Sequence, residues 1–397
     1  MACDNLLEDK YKEVLFFELP REGDLEPGRR MGHTLSHHAV RRKRHAVGRN
    51  GDRFSETANA MKLCIVGVRG HAGYVFDGLA DLPGVQVVGV SAGAGEDDVG
   101  VLTSECDRLG QRPEVFGEYL QMLDACSPDV VAIAGPFEQH AGMCLAALDR
   151  GIHVFCEKPV ALTLEELASL KAAHAGTDLH FAAMMGLRYD RAFYAAHCAV
   201  QDGAVGEVRL INTRKSYKLG RRASYYHTRA TYGGTIPWVG SHAIDWIHWF
   251  ADRPFESVYA THSARCNDDH GELETSALCH FTLAGEVFAS ASIDYYRPER
   301  APTHGDDRVR VVGTGGVVEV ADGRATLIDR TSDGVQALSP CGDRQIFRDF
   351  VDHVEGRTTA LIGADDTFAV TEACLLARQS ADEGRTITFG ADEGVDD

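Results

Sequence analysis

From residue 61 onward, short apolar runs punctuated by glycine set the rhythm of the chain. Residues 62–67 (KLCIVG) are nearly all apolar and stop at glycine, the pattern of a parallel strand buried on both faces. A helical stretch over 74–82, a Pro83-Gly84 turn and a second buried strand over 85–90 follow. The alternation returns as a strand at 130–134, a helix at 139–150 stopped by Gly151, and a strand at 153–156. Thr163, with Glu166 three residues on, opens a helix over 163–173 in a capping-box pattern, and 179–184 reads as another strand. Alternation at this spacing predicts a doubly wound parallel α/β sheet.

Past about residue 186 the pattern changes. Residues 207–215, 257–263, 276–283, 287–295 and 308–312 read as longer strands, several alternating in polarity or joined by tight turns such as Ala284-Gly285. One strongly apolar helix, 242–250, interrupts them, and a helical period returns over 344–355 and 366–383. The expected organisation is a first domain over 61–185 and an α+β domain over 186–390 with a mostly antiparallel open sheet. Residues 1–60 sustain no period and contain a basic, His-rich run over 37–49. They are expected to be a disordered extension, or translation begun upstream of a true start at Met61; nucleic-acid or membrane-surface binding by the basic run is the competing reading.

Composition narrows the function classes. Against 59 Asp and Glu stand 40 Lys and Arg, a formal charge of −19, which repels phosphate backbones and argues against nucleic acid as the main partner. No run reaches the about 18 apolar residues of a membrane-spanning helix, so no membrane role is expected. The acidic, Lys-poor composition suits a salt-adapted cytosolic protein or an ordinary acidic enzyme. Eleven cysteines, none in a C-x-x-C pair, several within apolar runs (Cys64, Cys279), point to a reducing cytoplasmic setting without disulfides or a structural metal.

Between the first strand and the first helix lies Gly67-Val-Arg69-Gly70-His71-Ala-Gly73. Glycine here lets the chain turn sharply and lets backbone approach a pyrophosphate at a helix N-terminus. In G-x-G-x-x-G register the positions are Gly67, Arg69 and Ala72, so only the first is orthodox; Gly70 and Gly73 do the same work if the loop is shifted. A plain βα loop is the alternative. The second strand ends at Ser91 with no acid to take ribose hydroxyls, the next being Glu96 and Asp97. That admits a 2′-phosphate near Ser91 and Arg69, so NAD and NADP both stay open.

The stretch PDVVAIAGPFEQHAGMCLAALDRGIHVFCEKPV, ending at Val160, places Glu157-Lys158-Pro159 at a strand end and His140 upstream of it. Here the chain resembles the glucose–fructose oxidoreductase / inositol dehydrogenase (Gfo/Idh/MocA) family, over essentially all of Met61 to about Phe389. The resemblance implies a Rossmann cofactor domain. It makes Lys158 the catalytic lysine facing the nicotinamide and the reacting hydroxyl, often with a cis Lys–Pro bond. Glu157 then shapes the cofactor pocket and Gly135-Pro136 lines its nicotinamide side, with Phe137 where the family more often has Asn. It also implies a homodimer or homotetramer that buries the open sheet face.

A third constellation runs from Gly233-Gly234 to Trp246, and Gly240, His242 and Asp245 fit the family pattern D-x-G-x-H-x-x-D. Histidine at a helix start suits proton transfer, and Asp245 one turn on is placed to orient its ring; a histidine merely packed on an apolar helix is the alternative. Trp238 stands where the family commonly has Asp, offering an indole N–H and a flat apolar wall in place of a carboxylate. His242, Asp245 and His248 spread too far around a helix for a metal site. A cationic and aromatic stretch over 214–232, including Tyr217, Arg222 and Tyr226, reads as a substrate loop or as a solvated or subunit-contact loop. The expected activity is an NAD(P)-dependent dehydrogenase acting on a secondary alcohol of a small sugar, cyclitol or sugar acid. A non-catalytic dinucleotide-binding regulator or scaffold of the same fold, and a reductase of an imine or enone, are the competing readings.

Overall fold

In the computed structural model, which describes residues 60–93 and 97–390, the first apolar run forms β1 (Met61–Val66), with its last four residues fully buried. The basic run and extension within 1–60, and Glu96, lie outside the described residues. In chain order there follow α1 (Gly73–Leu79), β2 (Val85–Ser91), α2 (Val99–Arg108), β3 (Glu114–Phe116), α3 (Tyr119–Cys126) and β4 (Val130–Ile133). Then come α4 (His140–Leu148), β5 (His153–Cys156), α5 (Leu164–His174) and β6 (Phe181–Ala183). The six strands are parallel in the order β3-β2-β1-β4-β5-β6. Strand order reverses at β1, between β2 and β4, and a doubly wound sheet leaves its ligand crevice beyond the strand ends at that point. The Thr163–Glu166 capping box is formed as its sequence predicts.

Beyond it lie α6 (Arg191–Gln201), β7 (Val208–Tyr217), α7 (Arg229–Tyr232), α8 (Thr235–Trp238), α9 (Gly240–Ala251), β8 (Phe255–Ser263), β9 (Ser276–Leu283) and β10 (Val287–Asp294). The chain continues through β11 (Gly305–Gly313), β12 (Gly316–Ala321), β13 (Arg324–Asp329), β14 (Gln336–Ala337), α10 (Ile346–Val354), α11 (Ala364–Glu383) and β15 (Ile387–Thr388). The second sheet runs β14-β13-β12-β11-β7-β10-β9-β8-β15, antiparallel except where β7 lies parallel to β10. Side chains alternate across it. One face buries Ile211, Phe281, Ala289 and Ile293 beneath α9 and α11, while the other leaves Leu210, Tyr259, Leu278 and Phe288 exposed. Gly240 lets α9 lie close on β10, since a Cβ there would fall 2.5 Å from Ile293 Cδ1.

The expected absence of disulfides is corrected: Cys198 on α6 pairs with Cys341 ahead of α10. The partners are 143 residues apart, a separation that spacing rules for short motifs cannot bridge. Cys64 and Cys279 are buried and free, as their apolar surroundings predict.

Candidate active site

The glycine turn at the end of β1 is built on Gly67 and Gly70, both left-handed at φ +81° and +62°. A Cβ on Gly67 would fall 2.3 Å from the Ala134 carbonyl oxygen, so only glycine lets the turn approach the end of β4 this closely. The Arg69 amide donates to that same oxygen at 2.8 Å. Gly73 begins α1, so Gly67, Gly70 and Gly73 all lie between the end of β1 and the first residue of that helix. Arg69 is buried and spans the turn, its guanidinium held by Asp97 at 2.9 Å and stacked 4.4 Å from the Tyr225 ring centroid. Asp97 is thus the acid beyond β2 that turns inward, and it neutralises the cation that a 2′-phosphate would seek. Ser91 ends β2 beside Val66, buried, with its hydroxyl unpartnered. An orphaned hydroxyl at the end of the second strand fits a dinucleotide's ribose.

β5 leads into Glu157 and Lys158, 0% and 3% exposed, and a cis bond to Pro159. The Lys158 ammonium nitrogen donates to the Trp238 carbonyl at 3.1 Å, lies over the Trp238 ring, and sits 3.6 Å from Glu157 Oε1. Burial pulls the Lys158 amine down to about 7; Glu157 opposes that and Lys215 adds to it. His140, fully buried, places Nδ1 2.9 Å from the Pro159 carbonyl and Nε2 3.1 Å from that of Gly135. It thereby ties the Gly135-Pro136 turn to the Lys–Pro turn. Burial lowers its pKa, so the ring is neutral near pH 7 and donates to one of the two carbonyls.

His242 lies in the first turn of α9, 1% exposed, with Nδ1 unpartnered. Burial first, then Lys158, Lys215 and His71, hold its pKa well below the ordinary range. The imidazole is therefore neutral, and burial and the neighbouring cations account for that. Asp245 does not orient this ring. It is buried against Arg188, which donates to it from Nε at 3.0 Å and from a terminal nitrogen at 2.6 Å. α9 is buried on nearly every side, so one-turn spacing alone could not select the partner.

Trp238 packs 4.6 Å from Phe137 and 5.6 Å from Tyr226 between ring centroids, forming an aromatic wall beside Lys158. Tyr217 and Arg222 gather instead around Tyr295, with Arg222 4.9 Å from that ring centroid and Tyr217 4.6 Å from the Lys215 nitrogen. Sequence reasoning did not find Arg188, whose only local sign is an arginine between Leu187 and Tyr189 just past an apolar strand. Among the described residues no group of three or more His, Cys, Asp or Glu is arranged to hold a metal, and no helix is long and apolar enough to cross a membrane.

A parallel doubly wound sheet with a glycine turn at its switch point defines a dinucleotide-binding protein, and family comparison agrees. Residues 61–183 match the oxidoreductase family with an NAD-binding Rossmann fold, and residues 193–319 match the GFO/IDH/MocA C-terminal domain. The chain belongs to the Gfo/Idh/MocA family of NAD-binding oxidoreductases. A solved Thermotoga maritima structure described as an oxidoreductase is 44% identical, covering 83% of this chain and 100% of that one, with a TM-score of 0.79. Inositol 2-dehydrogenase of Salmonella typhimurium is 24% identical over 44% of this chain and 49% of its own length. Levoglucosan dehydrogenase, solved in complex with NADH, shares the fold at 16% identity and a TM-score of 0.69, covering 83% and 98% of the two chains. The match to the Salmonella enzyme spans about half of that curated relative's length.

Proposed function

We propose that the chain is an NAD(P)-dependent dehydrogenase acting on a secondary alcohol of a sugar, cyclitol or sugar acid, with residues 61–185 holding cofactor and 186–390 holding substrate. The observation that carries this reading is the meeting of Lys158, from the first sheet, with the α8–α9 segment. The amine bonds the Trp238 carbonyl, and its charge is felt at the His242 ring, whose Nδ1 has no hydrogen-bond partner. When bound, the nicotinamide supplies the hydride acceptor or donor. Lys158 donates a hydrogen bond to the reacting oxygen and stabilises charge as it develops there. His242, neutral and desolvated, takes the hydroxyl proton. Ser91 and the Gly67–Gly70 turn hold the ribose and pyrophosphate, Gly135-Pro136 and Glu157 line the nicotinamide side, and Trp238 and Tyr226 offer a flat wall to a sugar ring. Relatives named for inositol and levoglucosan support the substrate class.

A binding-only regulator has no use for an uncharged imidazole beside a lysine held near its titration point. Lys158→Ala and His242→Asn are expected to lower turnover by about 10²- to 10⁴-fold while the cofactor still binds. Nicotinamide absorbance across a panel of polyols and sugar acids, with cofactor binding followed by fluorescence, makes the measurement. Full turnover in both variants would remove them from the reaction.

A further inference from the structure

His71 sits in the glycine turn, where chain reversal around a pyrophosphate requires no titratable side chain. Its backbone N–H lies 3.1 Å from Glu157 Oε2 and its Nδ1 2.9 Å from Oε1. Burial pushes the Glu157 carboxyl up, but His71 and Lys158 outweigh it and hold the group below its ordinary range. An ionised carboxylate has no proton to give, so Nδ1 is the donor. The approach is close: a Cβ on Gly70 would fall 2.6 Å from Glu157 Cδ. Oε1 is shared, since the Lys158 nitrogen is 3.6 Å from it. Around the His71 ring stand Tyr74 of α1, stacked at 5.0 Å, and His242 and Trp238 of the α8–α9 segment at 5.7 Å and 6.3 Å between centroids.

We propose that His71 is a positioning residue: its two donors hold Glu157 so that the carboxylate is divided between ring and amine, leaving Lys158 turned toward the reacting oxygen. The consequence for turnover rests on the role given to Lys158 above; the effect on the amine itself does not. Without the imidazole, Glu157 closes on Lys158, strengthens its cation and draws its N–H groups away from substrate.

The test is titration of the Lys158 side chain by NMR in the full-length protein labelled with ¹³C-lysine, where only seven other lysines compete. Lys158→Arg identifies the resonance by its loss. The wild-type midpoint is expected near about 7. His71→Phe should raise it by about one pH unit or more, and His71→Asn, which keeps a donor near the Nδ1 position, should return it toward wild type. With a substrate that turns over, His71→Phe should lower kcat by about ten- to a hundredfold with little change in cofactor KM, and His71→Asn should recover most of that loss. Thermal unfolding checks that each variant folds, and His71→Leu replaces the phenylalanine where its ring does not fit. A Lys158 midpoint unmoved by His71→Phe or His71→Leu overturns the proposal even in a protein that turns nothing over. Inactivity with the midpoint shifted as expected counts against the dehydrogenase reading instead.

Discussion

An amine 3% exposed, with one Glu157 oxygen at 3.6 Å and an indole face beneath it, titrates at about 7 instead of 10.5 because burial penalises its charge more than Glu157 supports it. In the unfolded chain the same lysine keeps its proton up to about 10.5, so between about 7 and 10.5 the unfolded state binds more protons and stability rises with pH. Below that window the folded protein bears the whole penalty. Lys158→Met should therefore raise the Tm of the cofactor-free protein most near pH 6 and least near pH 10, by about 2 °C for each kcal/mol relieved, while turnover is lost. Calorimetry at the two pH values decides it, and a Tm gain that grows with pH runs against the argument. Lys158, His242 and the glycine turn were legible because each breaks its local pattern: a lysine between an apolar strand and proline, a histidine opening an apolar helix, glycines after a buried strand. Arg188 and the Asp97–Arg69 pair were not, because each owes its place to a partner distant in sequence.

Elements buried on both faces declared themselves in the same way. β1, β4 and β5 read as apolar runs because neighbouring strands and covering helices leave no polar face. α2 and β3 went unpredicted: α2 buries only Leu102 and Cys106, and β3 is an edge strand with Glu114 and Val115 exposed. α6 was missed because alanines make up part of its buried face. For α9 the difficulty was the opposite, since apolar character all round gives no direction to Asp245. Its carboxylate joins α9 to Arg188, which also reaches Asp366 at 3.2 Å and the Leu361 carbonyl at 2.6 Å. Asp245→Leu strands a buried guanidinium and should destabilise the fold by about 3 kcal/mol, the low end for a broken buried pair because Asp366 remains. Adding Arg188→Met should restore much of that, as a double-mutant cycle in urea would measure. An Asp245→Leu protein of native stability that has lost turnover would return Asp245 to the reacting centre.

At the scale of the molecule, the nine-stranded sheet has one face under helices and one without, among the described residues. Leu210 on β7 lies directly across from Phe288 on β10, at 39% and 43% exposed, with Leu278 and Tyr259 on the adjoining strands at 56% and 45%. Single exposed apolar side chains need no explanation, but four of them on one face of four adjacent strands of an open sheet do. A second copy of the same face is the simplest cover, since a two-fold contact needs only one self-complementary patch. Beside them on that face Asn212, Ser290, Ser292 and His280 are polar, and toward β11 Arg214 and Arg308 share Asp306, which limits like-charge repulsion between copies in a chain of net charge −19. Light scattering on a sizing column is therefore expected to give two or four times the chain mass of 43.2 kDa. Leu210→Asp combined with Phe288→Asp, placing carboxylates face to face across the two-fold, should return the protein to a single chain. Cofactor binding should persist, because the glycine turn lies on the other sheet. A wild-type protein that elutes as one chain, or a doubly charged variant that keeps its assembled mass, would move the contact away from this sheet.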